Sequence, residues 1–117
     1  MHATLREPDE FQHVYRNGKR YDGVFITVFV IDNQARQHRF GVTASKKVIG
    51  NAVERNRAKR LLRETFRSSA TVLSTLSGRY DWVLNARAKV LNEKLQAPLR
   101  EFGEIVAKVE KSELLRK

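Results

Sequence analysis

From Asn51 to Ser68 the chain contains neither Gly nor Pro, and Gly50 stands immediately before it. At ~100° of rotation per helical residue, Arg55, Asn56, Arg57, Lys59, Arg60, Arg63 and Arg67 share one broad arc, while Ala58, Leu61, Leu62, Thr65 and Phe66 occupy the rest. A helix of this kind must lay its apolar side on another layer, so the chain has to supply one. Its cationic side poses a second demand. Arg55, Lys59 and Arg63 follow one another at i, i+4 spacing, which is repulsive, and only Glu64 lies near to compensate. A polyanion would relieve that repulsion through phosphate neutralisation and counterion release. The alternative is a solvated charged face, but such faces normally mix signs.

The second layer is legible in strand-forming runs. Val24 to Ile31 is dense in β-branched and aromatic residues and ends at the turn signal Asp32-Asn33. His38 to Ser45 alternates Phe40, Val42 and Ala44 on one face, and is expected to pair with the preceding strand as a hairpin across residues 32–37. Tyr80 to Ala86 reads as another strand, and a shorter one is possible near Lys19 to Tyr21. Pro8-Asp9-Glu10 suits the first turn of a helix whose stripe is Phe11, Val14 and Tyr15 and whose stop is Asn17-Gly18. A C-terminal helix carries Leu95, Leu99, Phe102, Val106 and Val109; Pro98 either marks its start near Ala97 or makes its first turn irregular. The order is α+β or a split β-α-β, in a single domain over residues 1–117.

Charge places the partner. The net charge of +10 is uneven: residues 46–67 hold eight Lys/Arg against two Asp/Glu, whereas residues 1–45 hold six against five. An acidic partner and a localised contact follow. With no Cys, disulfides, thiolate metal sites and a Cys nucleophile are absent. No apolar run approaches the ~20 residues of a membrane span, and no secretory signal is read at the N-terminus, so the expected location is cytoplasmic. His2, His13 and His38 are scattered, with His13 and His38 expected at the surface and His2 at a disordered terminus. The acidic residues form no cluster like a two-metal nuclease, so no catalytic and no metal-ligating residue is assigned. Asn51 is a plausible N-cap. Asn56, a poor helix former on the basic face, is either surface filler or a hydrogen-bonding tip towards ribose or base.

Lys46-Lys47, Gly50-Asn51-Ala52-Val53, Arg55-Asn56-Arg57, Lys59-Arg60-Leu61 and Arg63-Glu64 together resemble the signature of the bacterial ribonuclease P protein family. Phe11-Gln12 with Val14-Tyr15 and Gly18 resembles that family's first helix, and Phe40-Gly-Val-Thr43 and Trp82-Val-Leu84 with Ala86-Arg87 resemble its central strands. The resemblance implies an α/β sandwich like the second domain of ribosomal protein S5: a four-stranded mixed sheet, three helices and a left-handed β-α-β crossover. It implies that Lys46, Lys47, Asn51, Arg55, Asn56, Arg57, Lys59, Arg60 and Arg63 contact a catalytic RNA subunit. It also implies a cleft for the single-stranded 5′ leader of precursor tRNA, formed by Phe11, Tyr15, Ile26, Val28 and Arg87. Phe11 is equally readable as a core anchor, whereas the polar tip of Tyr15 suits base stacking. Under this resemblance the RNA performs phosphodiester hydrolysis with Mg²⁺ held mainly on the RNA, and neither a membrane nor a dinucleotide cofactor is involved. A ribosomal or assembly protein, and a DNA-binding domain using the Arg-rich helix, are the competing readings.

Overall fold

The computed structural model describes residues 3–116, so His2 lies outside the described residues. Five strands form one mixed sheet: β1 (Ala3–Thr4), β2 (Lys19–Asp22), β3 (Ile26–Asp32), β4 (Arg39–Thr43) and β5 (Tyr80–Ala86). Five α-helices accompany them: α1 (Pro8–Asn17), α2 (Lys46–Ile49), α3 (Ala52–Arg67), α4 (Ala70–Leu73) and α5 (Gln96–Leu115), with a 3₁₀ helix at Ala88–Asn92. The described residues therefore hold one strand and two α-helices more than the expected four and three. Each addition is a two- to four-residue element, too short to carry a periodic pattern.

The strand order is β1-β4-β5-β3-β2. This corrects the expected β3–β4 hairpin, because β5 lies between them, antiparallel to β3 and parallel to β4. The reason is hydrophobic. Six of the seven residues of β5 are buried, so the strand with apolar residues on both faces takes the centre, and the segment between β3 and β4 arches over its end. Asn33 fixes that arch: its amide nitrogen donates to Gln37 O and to Asp81 Oδ1, 2.8 Å away.

The sheet separates two apolar clusters. Ile26, Val28, Val30, Phe40, Trp82 and Leu84 face α3 and α5 and join Leu62, Phe66, Phe102 and Val106. Phe66 lies at the middle of this core, stacked on Phe40 at 4.3 Å between centroids and angled against Trp82 and Phe102. Truncating it to Ala would cost about 3–5 kcal/mol. On the other face Leu5, Val14 and Val83 form a smaller cluster with Phe11, Tyr15, Phe29 and Ile31. Pro98 is accommodated in the first turn of α5, where its missing amide needs no partner, and Leu99 N donates to Leu95 O.

His38 corrects the surface expectation. It is buried, and its Nδ1 accepts from Tyr80 N and from Trp82 Nε1, each at 3.1 Å. Period-two spacing from Phe40 already put it on the core-facing side. His13 is exposed on α1, beside Asn17.

Candidate nucleic-acid interface

The cationic surface is built by a helix–turn–helix junction. Ser45 caps α2 by accepting from Val48 N, and Asn51 caps α3 by accepting from Glu54 N at 2.9 Å. Between them Gly50 adopts φ 109°, a conformation an L side chain would strain. Arg55 Nη1 donates to the Gly50 carbonyl at 2.6 Å, tying the helix to its own entry turn. Ala58, Leu62, Thr65 and Phe66 are buried, and Leu61 is half-buried. Asn56, Arg57, Arg60, Arg63 and Arg67 are exposed, as are Lys46, Lys47 and Asn51, while Arg55 and Lys59 are half-buried. Among the described residues the ion pairs are Arg20–Asp22, Arg39–Glu10 and Arg39–Asp81, none of which involves a cation of α3. The guanidinium forks of α3 suit phosphate oxygens.

A different surface lies beside α1. The ring of Phe11 rests on Gly41, where an added Cβ would come within 2.4 Å of it. One turn on, Tyr15 meets Phe29 edge-to-face at 4.9 Å, and Arg20 lies over the Phe29 ring at 5.5 Å. Next to this aromatic row the register aligns Asp22, Thr27, Asn85 and Thr43 across four strands. Asn85 Oδ1 accepts from Tyr15 Oη at 2.9 Å and from Thr43 Oγ1 at 2.6 Å, which turns the amide nitrogen away from both. Asp22 accepts from Arg20 Nε and Thr27 Oγ1; the Arg20 bond, aided by the charge of Arg87, holds its carboxyl below the usual range. Arg87 is exposed at the end of β5 and donates to Gly23 O. This surface combines half-buried rings, hydroxyl and amide groups, and two arginines.

The family model for Ribonuclease P matches residues 1–110. The chain belongs to the ribonuclease P protein family. The "Ribonuclease P protein component" of Natranaerobius thermophilus is 38% identical over 115 residues, spanning 98% of this chain and 94% of that one. That of Caldanaerobacter subterraneus is 43% identical over 88 residues, covering 75% and 72%. Among solved structures, the RNase P protein of Staphylococcus aureus is similar with a TM-score of 0.72 at 27% identity, covering 93% of this chain and 95% of that one. The Thermotoga maritima RNase P protein gives 0.68 at 26%, with 93% and 96% covered. Membership associates the chain with a bacterial tRNA-processing ribonucleoprotein, the endoribonuclease ribonuclease P, and so with an RNA subunit.

Against the positions that the ribonuclease P resemblance suggested, the structure brings Phe11 and Tyr15 to one face of the sheet and Arg87 to its border. It does not bring Ile26 and Val28 there. Both are fully buried on the opposite face, under α3 and α5, because side chains alternate along β3 and a shift of one residue exchanges the faces. The β3 residues on the α1 face are Thr27, Phe29 and Ile31. Phe29, Thr43 and Asn85 stand on that face without having been expected there, because the pairing with β5 fixes which parity meets α1: Phe29 pairs with Val83, and Thr43 with Asn85. Among the described residues no three His, Asp or Glu side chains cluster to hold a metal ion, and no helix is long and apolar enough to cross a membrane.

Proposed function

We propose that this chain is the RNA-binding subunit of ribonuclease P and promotes removal of the 5′ leader from precursor tRNA. The exposed side of α3, with Lys46, Lys47 and Asn51 at its approach, holds the catalytic RNA through phosphate contacts. The face beside α1 holds the single-stranded leader. Tyr15 and Phe29 supply stacking platforms, Arg20 and Arg87 attract phosphate, and Asn85 presents an amide nitrogen to a base edge. The observation that carries this reading is the Tyr15–Phe29 ring pair, half-buried next to the polar row. A protein serving only as an RNA scaffold has no need of such a platform.

In this reading the cytoplasmic protein contributes no catalytic residue. Mg²⁺ bound to the RNA supplies the activated water, while cations on the protein reduce repulsion between the two RNAs. The test is reconstitution with the catalytic RNA at low Mg²⁺, where the chain is expected to enhance cleavage of precursor tRNA. Tyr15→Ala and Phe29→Ala should each weaken leader-bearing precursor by about 5- to 150-fold, the cost of one stacked base, and leave mature tRNA unaffected. Equal losses for both RNAs would reduce the two rings to packing residues.

A further inference from the structure

On the side of α3 away from α1, a groove of about 260 Å³ runs between that helix and the 3₁₀ helix Ala88–Asn92. Its floor is apolar: Ala58 and Val90 are buried, and Leu61 and Leu91 keep part of their surface open. Arg57, Arg60, Glu64 and Glu93 complete the lining. Nothing in the leader reading uses this groove, yet Arg57 and Arg60 make it continuous with the cationic face of α3.

We infer that the groove is a slot for one unpaired nucleobase of the catalytic RNA, an inference that rests on the RNA-binding role proposed for α3. Three features select this occupant. The volume falls below the ~300–1,000 Å³ of pockets that enclose drug-sized ligands, so it suits one ring system and not a larger ligand. The arginines can hold the flanking phosphates while a guanidinium plane stacks on the base, and the leucine floor accepts its other face. The two carboxylates repel a phosphate from the slot but accept hydrogen bonds from an exocyclic amino or ring imino group. The preferred base therefore carries such donors on its pairing edge, as guanine does.

The slot differs from a phosphate contact in its salt response. Leu61→Gln combined with Leu91→Ser removes the apolar floor without changing charge. The double variant should bind the catalytic RNA about tenfold more weakly with an unchanged slope of log affinity against log salt, since no counterion-releasing contact is lost. Arg57→Ala with Arg60→Ala should lower both affinity and slope. Chemical probing of the RNA should show one unpaired nucleotide protected by the wild-type chain and exposed again with the floor variant. Glu93→Gln, which leaves the floor intact, should lower that protection and supplies a second route if the double variant fails its thermal-melt control. Wild-type affinity and protection in a folded floor variant would overturn the slot while leaving the α3 contact standing. An unchanged slope in the arginine variant would overturn the α3 reading itself. A floor variant that alters only the sedimentation of the free protein would assign the groove to a second copy of this chain and would also overturn the inference.

Discussion

Gly41 shows how a single missing methyl can set a surface. Phe11 occupies the space where a side chain would stand, and this holds α1 close to the sheet. Gly41→Ala should destabilise the fold by about 1–3 kcal/mol, seen as a lower urea midpoint with little change in slope. Glu113 is a second decisive residue. Burial alone would raise its pKa, but hydrogen bonds from Tyr80 Oη and from the amides of Ser77 and Gly78 outweigh it and bring the carboxyl to about 2. Burial, and then the Glu113 carboxylate, push the Tyr80 hydroxyl up to about 12. The lowered acid contributes stability that is complete above about pH 5 and is lost as pH falls from ~4 towards 2. The raised phenol contributes below about pH 10 and is lost as pH climbs towards 12. Glu113→Gln should therefore flatten the acid limb of stability, measured by urea midpoints between about pH 6 and pH 3. Neither residue announces itself in the sequence, because each depends on a partner more than 25 positions away that only the fold supplies.

At the scale of the element, α3 was almost wholly legible. Its bounds, its Asn51 cap and its buried side follow from spacing alone, because one helix presents its periodicity without help from the rest of the chain. Asn51→Ala should cost about 1 kcal/mol through the lost Glu54 amide contact, measured by thermal melting. The cationic side was legible as an arc but not in its uses. Arg55 is partly spent on the Gly50 carbonyl, so Arg57 and Arg60 make the cleaner test of phosphate binding. Replacing both by Ala should lower the magnitude of the salt slope by roughly 0.7–0.9 for each phosphate contact removed. In β3 the pattern failed for a physical reason. Ile26 to Ile31 is apolar on both faces, so hydrophobicity does not tell which parity meets α1, and the pairing with β5 decides it.

Across the whole molecule, the cationic side of α3 and the aromatic surface beside α1, the two surfaces proposed to meet RNA, lie on opposite sides of the sheet and approach each other at the edge of β4. There Phe11, Gly41, Val42 and Arg63 line one groove. Losses from Tyr15→Ala and Arg60→Ala should add within about 0.5 kcal/mol of binding free energy to precursor-loaded holoenzyme, whereas Arg63→Ala should be non-additive with Phe11→Ala. A double-mutant cycle on holoenzyme affinity checks both. Sequence pattern located most of the elements but not their neighbours. Adjacent strands commonly pair, which made a β3–β4 hairpin the default, and the competing preference of β5 for two partners becomes visible only when the strands are assembled.

The central place of β5 has a consequence for biosynthesis. The strand that joins the two halves of the sheet, at residues 80–86, also comes last of the five strands in chain order. Until then β3 and β4 each carry an open edge, and the nascent chain holds Phe40 and Phe66 without the indole that closes over them. The sheet therefore closes only after β5 has emerged, by which point α3 and its cationic side, earlier in the chain, are already out.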